Sequence, residues 1–189
     1  MTKSGVGLLL FALFSAWLCV EVSSNTQPEM HRVTINLPEQ GALIAEPLST
    51  LKVALFTDLH IDGGADSLSR LKALMTTVVA SKPDVILFGG DYVKNPEDLA
   101  DLDRHLLSVA NLMAQTGGIT ALAVLGNHEN WTAGLKWQVA LRDAGVPVLA
   151  NSVQQIKSLN LCVRGFGDYY SGEFRYVEFP SHCEGGRKL

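Results

Sequence analysis

Apolar and polar residues follow one another in blocks from Leu51 onward, and each block has the periodicity of a strand or a helix. Short, nearly continuous apolar runs predict strands at 51–57, 83–90, 119–126 and 146–151. Apolar residues spaced three or four apart predict helices at 66–82, 96–118 and 131–145. Strands that are apolar along their whole length are typical of a parallel sheet covered on both faces. The pattern therefore predicts an α/β fold built from repeated strand–helix–strand units.

The pattern changes on both sides of this central region. Residues 153–168 predict a hairpin with its turn near Ser158–Asn160, and the residues after 168 show no clear periodicity. Upstream, "HRVTINLP" alternates, with Val33, Ile35 and Leu37 on one face, and this predicts a half-buried strand. We therefore expect a linker and an edge strand over 25–50, followed by one folded domain over 51–189.

The first 24 residues form a separate segment. Lys3 precedes an unbroken apolar run from Val6 to Val20, and polar residues follow it. As a helix this run is about 22 Å long, shorter than the ~30 Å hydrocarbon core of a bilayer. A basic start and an apolar run of this length are typical of a secretory signal peptide, with an uncleaved membrane anchor as the alternative. Both predict an exported or membrane-anchored protein whose bulk lies outside the cytoplasm.

Composition narrows the classes of partner and compartment. The formal net charge of −4 on 189 residues gives none of the basic surface that nucleic-acid binding requires, so we expect no nucleic-acid partner. The cysteines Cys19, Cys162 and Cys183 form no C-x-x-C pair. The last two could pair outside the cytoplasm, although two cysteines do not make a disulfide framework.

Polar side chains follow each of the first three predicted strands. They are Asp58 and His60 after the first, Asp91 after the second, and the run Asn127-His128-Glu129 after the third. Because the carboxyl ends of parallel strands line one crevice, we expect these side chains to meet there. A helix cap would explain Asp91 alone, but not the histidines as well. Carboxylate, amide and imidazole groups are ligands for Mn, Fe, Zn or Mg, so the combination predicts a metal site.

The motifs D-L-H at 58–60, G-G-D-Y at 89–92 and G-N-H-E at 126–129 resemble, in this order, those of the calcineurin-like metallophosphoesterase family. The N-terminal hydrophobic segment followed by a short strand resembles the membrane-associated bacterial phosphodiesterase-like branch of that family. The resemblance covers roughly Val33–Asp168. It implies a four-layer α/β/β/α sandwich, of which this chain would carry the N-terminal half to two-thirds.

The resemblance also implies a set of site residues and a reaction. Asp58 and His60 would bind the first of two divalent metal ions (Mn, Fe or Zn), Asp91 would bridge the two ions, and Asn127 would bind the second. His128 would face the scissile phosphate as a catalytic residue. The implied reaction is hydrolysis of phosphomonoesters or phosphodiesters by a metal-activated water. A membrane location would favour a lipid-linked substrate. Glu129 has two interpretations, as a residue that orients the His128 region or as a solvated acid at a helix start.

The chain departs from the family after "GFGDYY" at 165–170, because it contains no G-H-x-H motif to complete the metal ligands. His182 is the remaining candidate ligand, and its alternative interpretation is a tail residue. Fewer ligands weaken metal binding. A truncated product, either a catalytically dead remnant or a weak metal- or partner-binding domain, is therefore the alternative to an active enzyme.

Overall fold

The computed structural model describes residues 31–34, 50–94, 99–184 and 186–189. The chain divides into an N-terminal unit, 1–39, and a second unit, 40–189. In the first unit, residues 31–34 are exposed and have no regular secondary structure. The strand predicted over 31–38 is thus absent from its first four residues, and its remainder lies outside the described residues. The apolar run near the N-terminus also lies outside them, and none of the described helices is long and apolar enough to cross a membrane.

The second unit alternates strands and helices as the apolar pattern predicts. Its elements are β1 (Val53–Phe56), α1 (Ala65–Ser81), β2 (Val85–Phe88), α2 (Leu99–Met113), β3 (Thr120–Ala123), α3 (Asn127–Asp143), β4 (Ser152–Ile156), β5 (Leu161–Gly165) and β6 (Arg187–Lys188). Strands β1, β2 and β3 are parallel neighbours in that order. Because a helix returns the chain to the start of the next parallel strand, all three strands end at the same edge of the sheet.

The helices cover one face of this sheet. Apolar residues at helical spacing are buried against it, with Leu71 and Met75 of α1, Leu106 of α2 and Trp137 of α3 among the least exposed. Alternate strand residues such as Ile86 and Phe88 point into the same cluster. Full burial of one such side chain contributes about 2 kcal/mol. The three strands that end in polar residues therefore belong to a closely packed sheet and helix layer.

The opposite face of the parallel sheet packs on a second sheet. Strands β4 and β5 form an antiparallel hairpin around a short 3₁₀ turn at Lys157–Leu159, and β6 pairs with β5 in parallel. Leu161 and Val163 of β5 contact Val85 and Leu122, which alternate with the helix-facing residues of β2 and β3. The described residues thus form three layers, α/β/β, and confirm the predicted α/β class.

Three details differ from the sequence-based expectation. The strand predicted at 146–151 is reduced to one bridge between Ala123 and Val148, since Pro147 has no N–H to extend the pairing. Helix α3 begins at Asn127 instead of 131, so the G-N-H-E motif forms its first turn. Leu55 on the edge strand β1 is 66% exposed, so the expectation of burial on both faces is wrong for this strand.

Two side chains and one disulfide hold the irregular segment 166–183. Cys162 of β5 is bonded to Cys183, which lies in a short 3₁₀ helix. The guanidinium of Arg164 donates to the Val177 carbonyl at 3.0 Å and lies 4.4 Å from the ring centroid of Phe179. Asn151, directly before β4, accepts from the backbone N–H groups of Gly167 and Arg175 with its side-chain oxygen. Apart from this 3₁₀ helix, residues 166–183 are therefore held in place without a helix or strand of their own.

We expect the double change Cys162→Ser/Cys183→Ser to lower the free energy of unfolding by about 3 kcal/mol, because the disulfide restricts a loop of about 20 residues in the unfolded chain. Chemical denaturation with fluorescence detection measures this. A reducing agent should bring the wild type down to the variant and leave the variant unchanged. A variant as stable as the oxidised wild type would contradict the structural role of the bond.

Candidate metal centre

The ends of β1 and β2 continue side by side beyond the sheet. The backbone N–H of Asp58 donates to the carbonyl of Gly90 at 3.1 Å, and the N–H of His60 donates to the carbonyl of Asp91 at 3.0 Å. The N–H of Ile61 then donates to the carbonyl of Tyr92 at 2.7 Å. This ladder brings the first two sequence-predicted clusters together through the backbone alone.

Three residues of these clusters have the left-handed backbone conformation. The φ angles are 56° at Asp58, 45° at His60 and 54° at Asp91. For residues with a Cβ this conformation costs about 1–2 kcal/mol each. Strain of this kind persists only where the surrounding structure imposes it, and it is concentrated at functional sites. The hydrogen-bond ladder and the packed sheet below it impose it here.

The second and third strand ends approach so closely that only glycine fits at two positions. A Cβ on Gly90 would lie 2.5 Å from the backbone nitrogen of Gly126, and a Cβ on Gly126 would collide with the carboxylate of Asp91. Gly90 also has a φ of 97°. The two glycines therefore let the start of α3 reach Asp91, whose Oδ1 accepts from the N–H of His128 at 3.2 Å.

Glu129 connects the same two strand ends and is completely buried. Its Oε2 accepts from the N–H groups of Asp91 at 2.9 Å and Gly126 at 3.0 Å. Its Oε1 accepts from the N–H groups of Tyr92 at 2.8 Å and Val93 at 3.3 Å. One carboxylate thus satisfies four backbone donors in the turns that carry the candidate ligands. The interpretation of Glu129 as a solvated acid is wrong, and a positioning role is the one that the structure supports.

Burial perturbs the two ionisable groups at this junction. Removal from water raises the pKa of the Glu129 carboxyl, against the opposing effect of the backbone N–H groups that hydrogen-bond to it. Burial, and then the neighbouring charge of Glu129, raise the pKa of the Tyr92 hydroxyl well above its usual value. Tyr92 therefore stays a neutral donor, and its hydroxyl bonds to the carbonyl of Val124 at the end of β3.

His60, Asp91 and His128 present their potential ligand atoms to one another. One nitrogen or oxygen from each lies within 4.8 Å of the others. The two imidazole rings meet edge to face with centroids 4.7 Å apart. Two imidazoles and a carboxylate are a donor set for Mn, Fe or Zn. Their convergence at the sheet edge fits a divalent metal ion.

A backbone carbonyl fixes the orientation of the His128 imidazole. Its Nδ1 contacts the carbonyl oxygen of Lys94, which can only accept, so Nδ1 carries the proton. The other nitrogen, Nε2, is then the one available to a ligand. A backbone carbonyl that holds one imidazole nitrogen is also the usual partner of a metal-binding or catalytic histidine.

The remaining predicted residues lie around this cluster. Asp58 accepts from the hydroxyl of Thr57 at 2.6 Å, and its other oxygen lies 3.7 Å from Nε2 of His60. Asn127 is half-buried in the first turn of α3, directly before His128. His182 is elsewhere, because its imidazole lies with Cys162 and Cys183. The division of ligands between two metal ions stays a prediction, as does the role of His128.

Sequence reasoning missed two parts of the support, the Tyr92 hydroxyl and the Lys94 carbonyl. Tyr92 follows the candidate ligand directly in G-G-D-Y, so its place in the motif was a usable signal. A backbone carbonyl leaves no signal in the sequence. Its role depends on the path of the chain at Lys94, whose own N–H donates to the carbonyl of Ile61 at 3.0 Å.

Comparison with known proteins agrees with this geometry. Residues 51–182, more than half of the chain, match the family model described as calcineurin-like phosphoesterase. The chain is 30% identical over 107 residues to the uncharacterized metallophosphoesterase YkuE of Bacillus subtilis (strain 168). That match covers 56% of this chain and 36% of the relative. The chain thus spans about a third of the length of the curated relative that it matches.

We expect Glu129→Gln to lower the free energy of unfolding by about 2–4 kcal/mol and to weaken Mn²⁺ binding. The amide replaces an acceptor oxygen by an N–H₂ group that faces backbone donors, which leaves buried N–H groups without partners. Glu178→Gln, at an exposed glutamate, is the matched control and should change neither quantity. Denaturation curves and metal titration calorimetry measure both effects. Equal stability of the two variants would contradict the positioning role of Glu129.

Proposed function

This chain belongs to the calcineurin-like phosphoesterase family, and from that membership we propose that it is a metal-dependent hydrolase of phosphomonoesters or phosphodiesters. The observation that supports the proposal most directly is the convergence of His60, Asp91 and His128 at the carboxyl ends of three parallel strands. Ligand sites of open α/β sheets lie at this edge.

We propose that two divalent ions bind here, with Asp58 and His60 at the first, Asp91 between them and Asn127 at the second. When bound, such ions polarise the phosphate and activate water. The protein's own contribution is position. The Glu129 carboxylate fixes the turn that contains Asp91. The left-handed backbone conformation of Asp58 and His60 places their side chains beside it.

His128 is proposed to handle the proton of the leaving group. Since the carbonyl of Lys94 holds its Nδ1–H, a protonated His128 presents a second N–H at Nε2. As water attacks and the bond from phosphorus to the leaving oxygen breaks, this N–H donates to that oxygen, and the product is a neutral alcohol. The same N–H can also stabilise charge on the phosphate before transfer.

A second candidate function is metal binding without turnover. It is favoured by the small number of potential ligands. Among the described residues, the group within 4.8 Å at the strand ends contains only His60, Asp91 and His128, and the last of these is assigned above to the leaving group. A remnant of this kind would bind metal weakly or bind a partner. Metal titration and hydrolysis measured on the same sample separate the two functions.

We expect the purified chain with Mn²⁺ to hydrolyse a generic aryl phosphodiester, and Asp91→Asn or His128→Ala to reduce kcat by about a hundredfold or more. Release of the aryl alcohol measures the rate. A metal chelator should abolish the activity of the wild type. His182→Ala is the matched control, since this exposed histidine lies with the disulfide.

Activity that survives both Asp91→Asn and His128→Ala would refute the assignment of the site. Metal binding by the wild type without any hydrolysis would select the second candidate function. In that case Asp91→Asn should still weaken the binding of Mn²⁺.

We also propose that the chain is exported or membrane-anchored through its N-terminal segment, which would place it near lipid-linked phosphate esters. The disulfide between Cys162 and Cys183 supports export, because such bonds persist in oxidising compartments. We expect protein taken from its source cells under denaturing conditions to resist thiol alkylation at both cysteines. Full alkylation without a reducing agent would contradict export.

A further inference from the structure

A groove of about 360 Å³ opens beside the candidate metal centre. One wall is the first half of α3, with Trp131 and Leu135, and the opposite wall is the irregular segment that contains Phe166 and Ser171. The side chain of Asn130 donates to the hydroxyl of Ser171 at 3.1 Å and ties the two walls together. The volume lies within the range of about 300–1,000 Å³ that is usual for small-molecule sites.

Trp131 of the groove wall connects the groove to the candidate catalytic residue, His128. Trp131 lies one helical turn after His128, and the centroids of their rings are 6.2 Å apart. A group attached to a phosphate at His128 would therefore reach the groove along the face of Trp131. This continuity distinguishes the groove from an isolated surface depression.

The lining favours an uncharged occupant, because it combines apolar side chains with neutral polar ones, among them Gln138 and Asn151. The most exposed large apolar side chains of the lining are Trp131, which is 64% exposed, and Leu135, which is 75% exposed, on either side of the kink at Ala133 in α3. Glu173 is the only charged residue among the described residues that line the groove. Because the described lining residues include no cation, the Glu173 carboxylate repels an additional phosphate or carboxylate.

Building on the proposed function, we infer that this groove receives the apolar part of the alcohol that the phosphate esterifies. Esters of long-chain alcohols would then be preferred over esters of short or anionic alcohols. Because Leu135 lies farther along α3 from His128 than Trp131 does, it would distinguish a long chain from a short one. Trp131 would cover the part of the chain nearest to the phosphate.

The test compares octylphosphonate with ethylphosphonate, which differ in chain length and cannot be hydrolysed at a phosphate ester bond. Calorimetry with the full chain and Mn²⁺ should give a Kd for the octyl compound at least about tenfold lower, because several methylene groups leave water. Leu135→Ser should reduce this ratio to about twofold. Leu107→Ser, at a leucine of α2 that is 57% exposed, is the matched control and should keep the ratio.

Equal affinity for the two phosphonates, no binding of either, or a preference that Leu135→Ser leaves intact would each overturn the inference. So would a dimer that forms without ligand and disappears in Leu135→Ser, because a second copy would then occupy the groove.

Turnover measurements separate this inference from the proposed function. Hydrolysis of ethyl and octyl phosphate at equal kcat/KM overturns the groove alone. An octyl preference in binding without hydrolysis of either ester supports the groove and overturns the proposed activity.

Discussion

The site depends on one buried carboxylate. Glu129 loses its hydration when the protein folds, and this loss is compensated because four backbone N–H groups point at its two oxygens. Hydrogen bonds to an ionised group in a dry interior are among the strongest that a protein makes. Since the donors belong to the turns after β2 and β3, a single interaction fixes the distance between the two strand ends. The Asp91 carboxylate and the His128 ring take their places relative to that fixed frame.

The start of α3 adds an electrostatic contribution to the same frame. Its first N–H groups have no partner within the helix, and one of them, on His128, donates to Asp91. The positive end of the helix therefore faces a carboxylate. Gly90 and Gly126 make the approach possible because any side chain there would separate the helix from the carboxylate. Close backbone contact and charge complementarity thus reinforce each other.

Much of this arrangement could be predicted from the sequence, because it follows from local periodicity. The apolar runs predicted the parallel strands, and the polar residues after them predicted a shared site at one edge. The burial of Glu129 could not be decided in the same way. Three of its donors lie 36 to 38 residues away in the chain, and local pattern carries no information on such contacts. The predicted start of α3 lies four residues too far along the chain, because the first residues of the helix are polar and do not follow the apolar periodicity. The disulfide likewise depends on a distance that only the fold determines.

The shape of the groove wall depends on the side-chain amide of Asn151. Its Oδ1 accepts from the N–H groups of Gly167 and Arg175, and its Nδ2 donates to the carbonyl of Glu173 at 2.8 Å. An aspartate at this position would carry a carboxylate in place of the amide. The resulting carboxylate would turn a donor into a second oxygen that faces the Glu173 carbonyl. The shape of this wall therefore depends on a single side-chain amide, whereas the two apolar cores do not involve it.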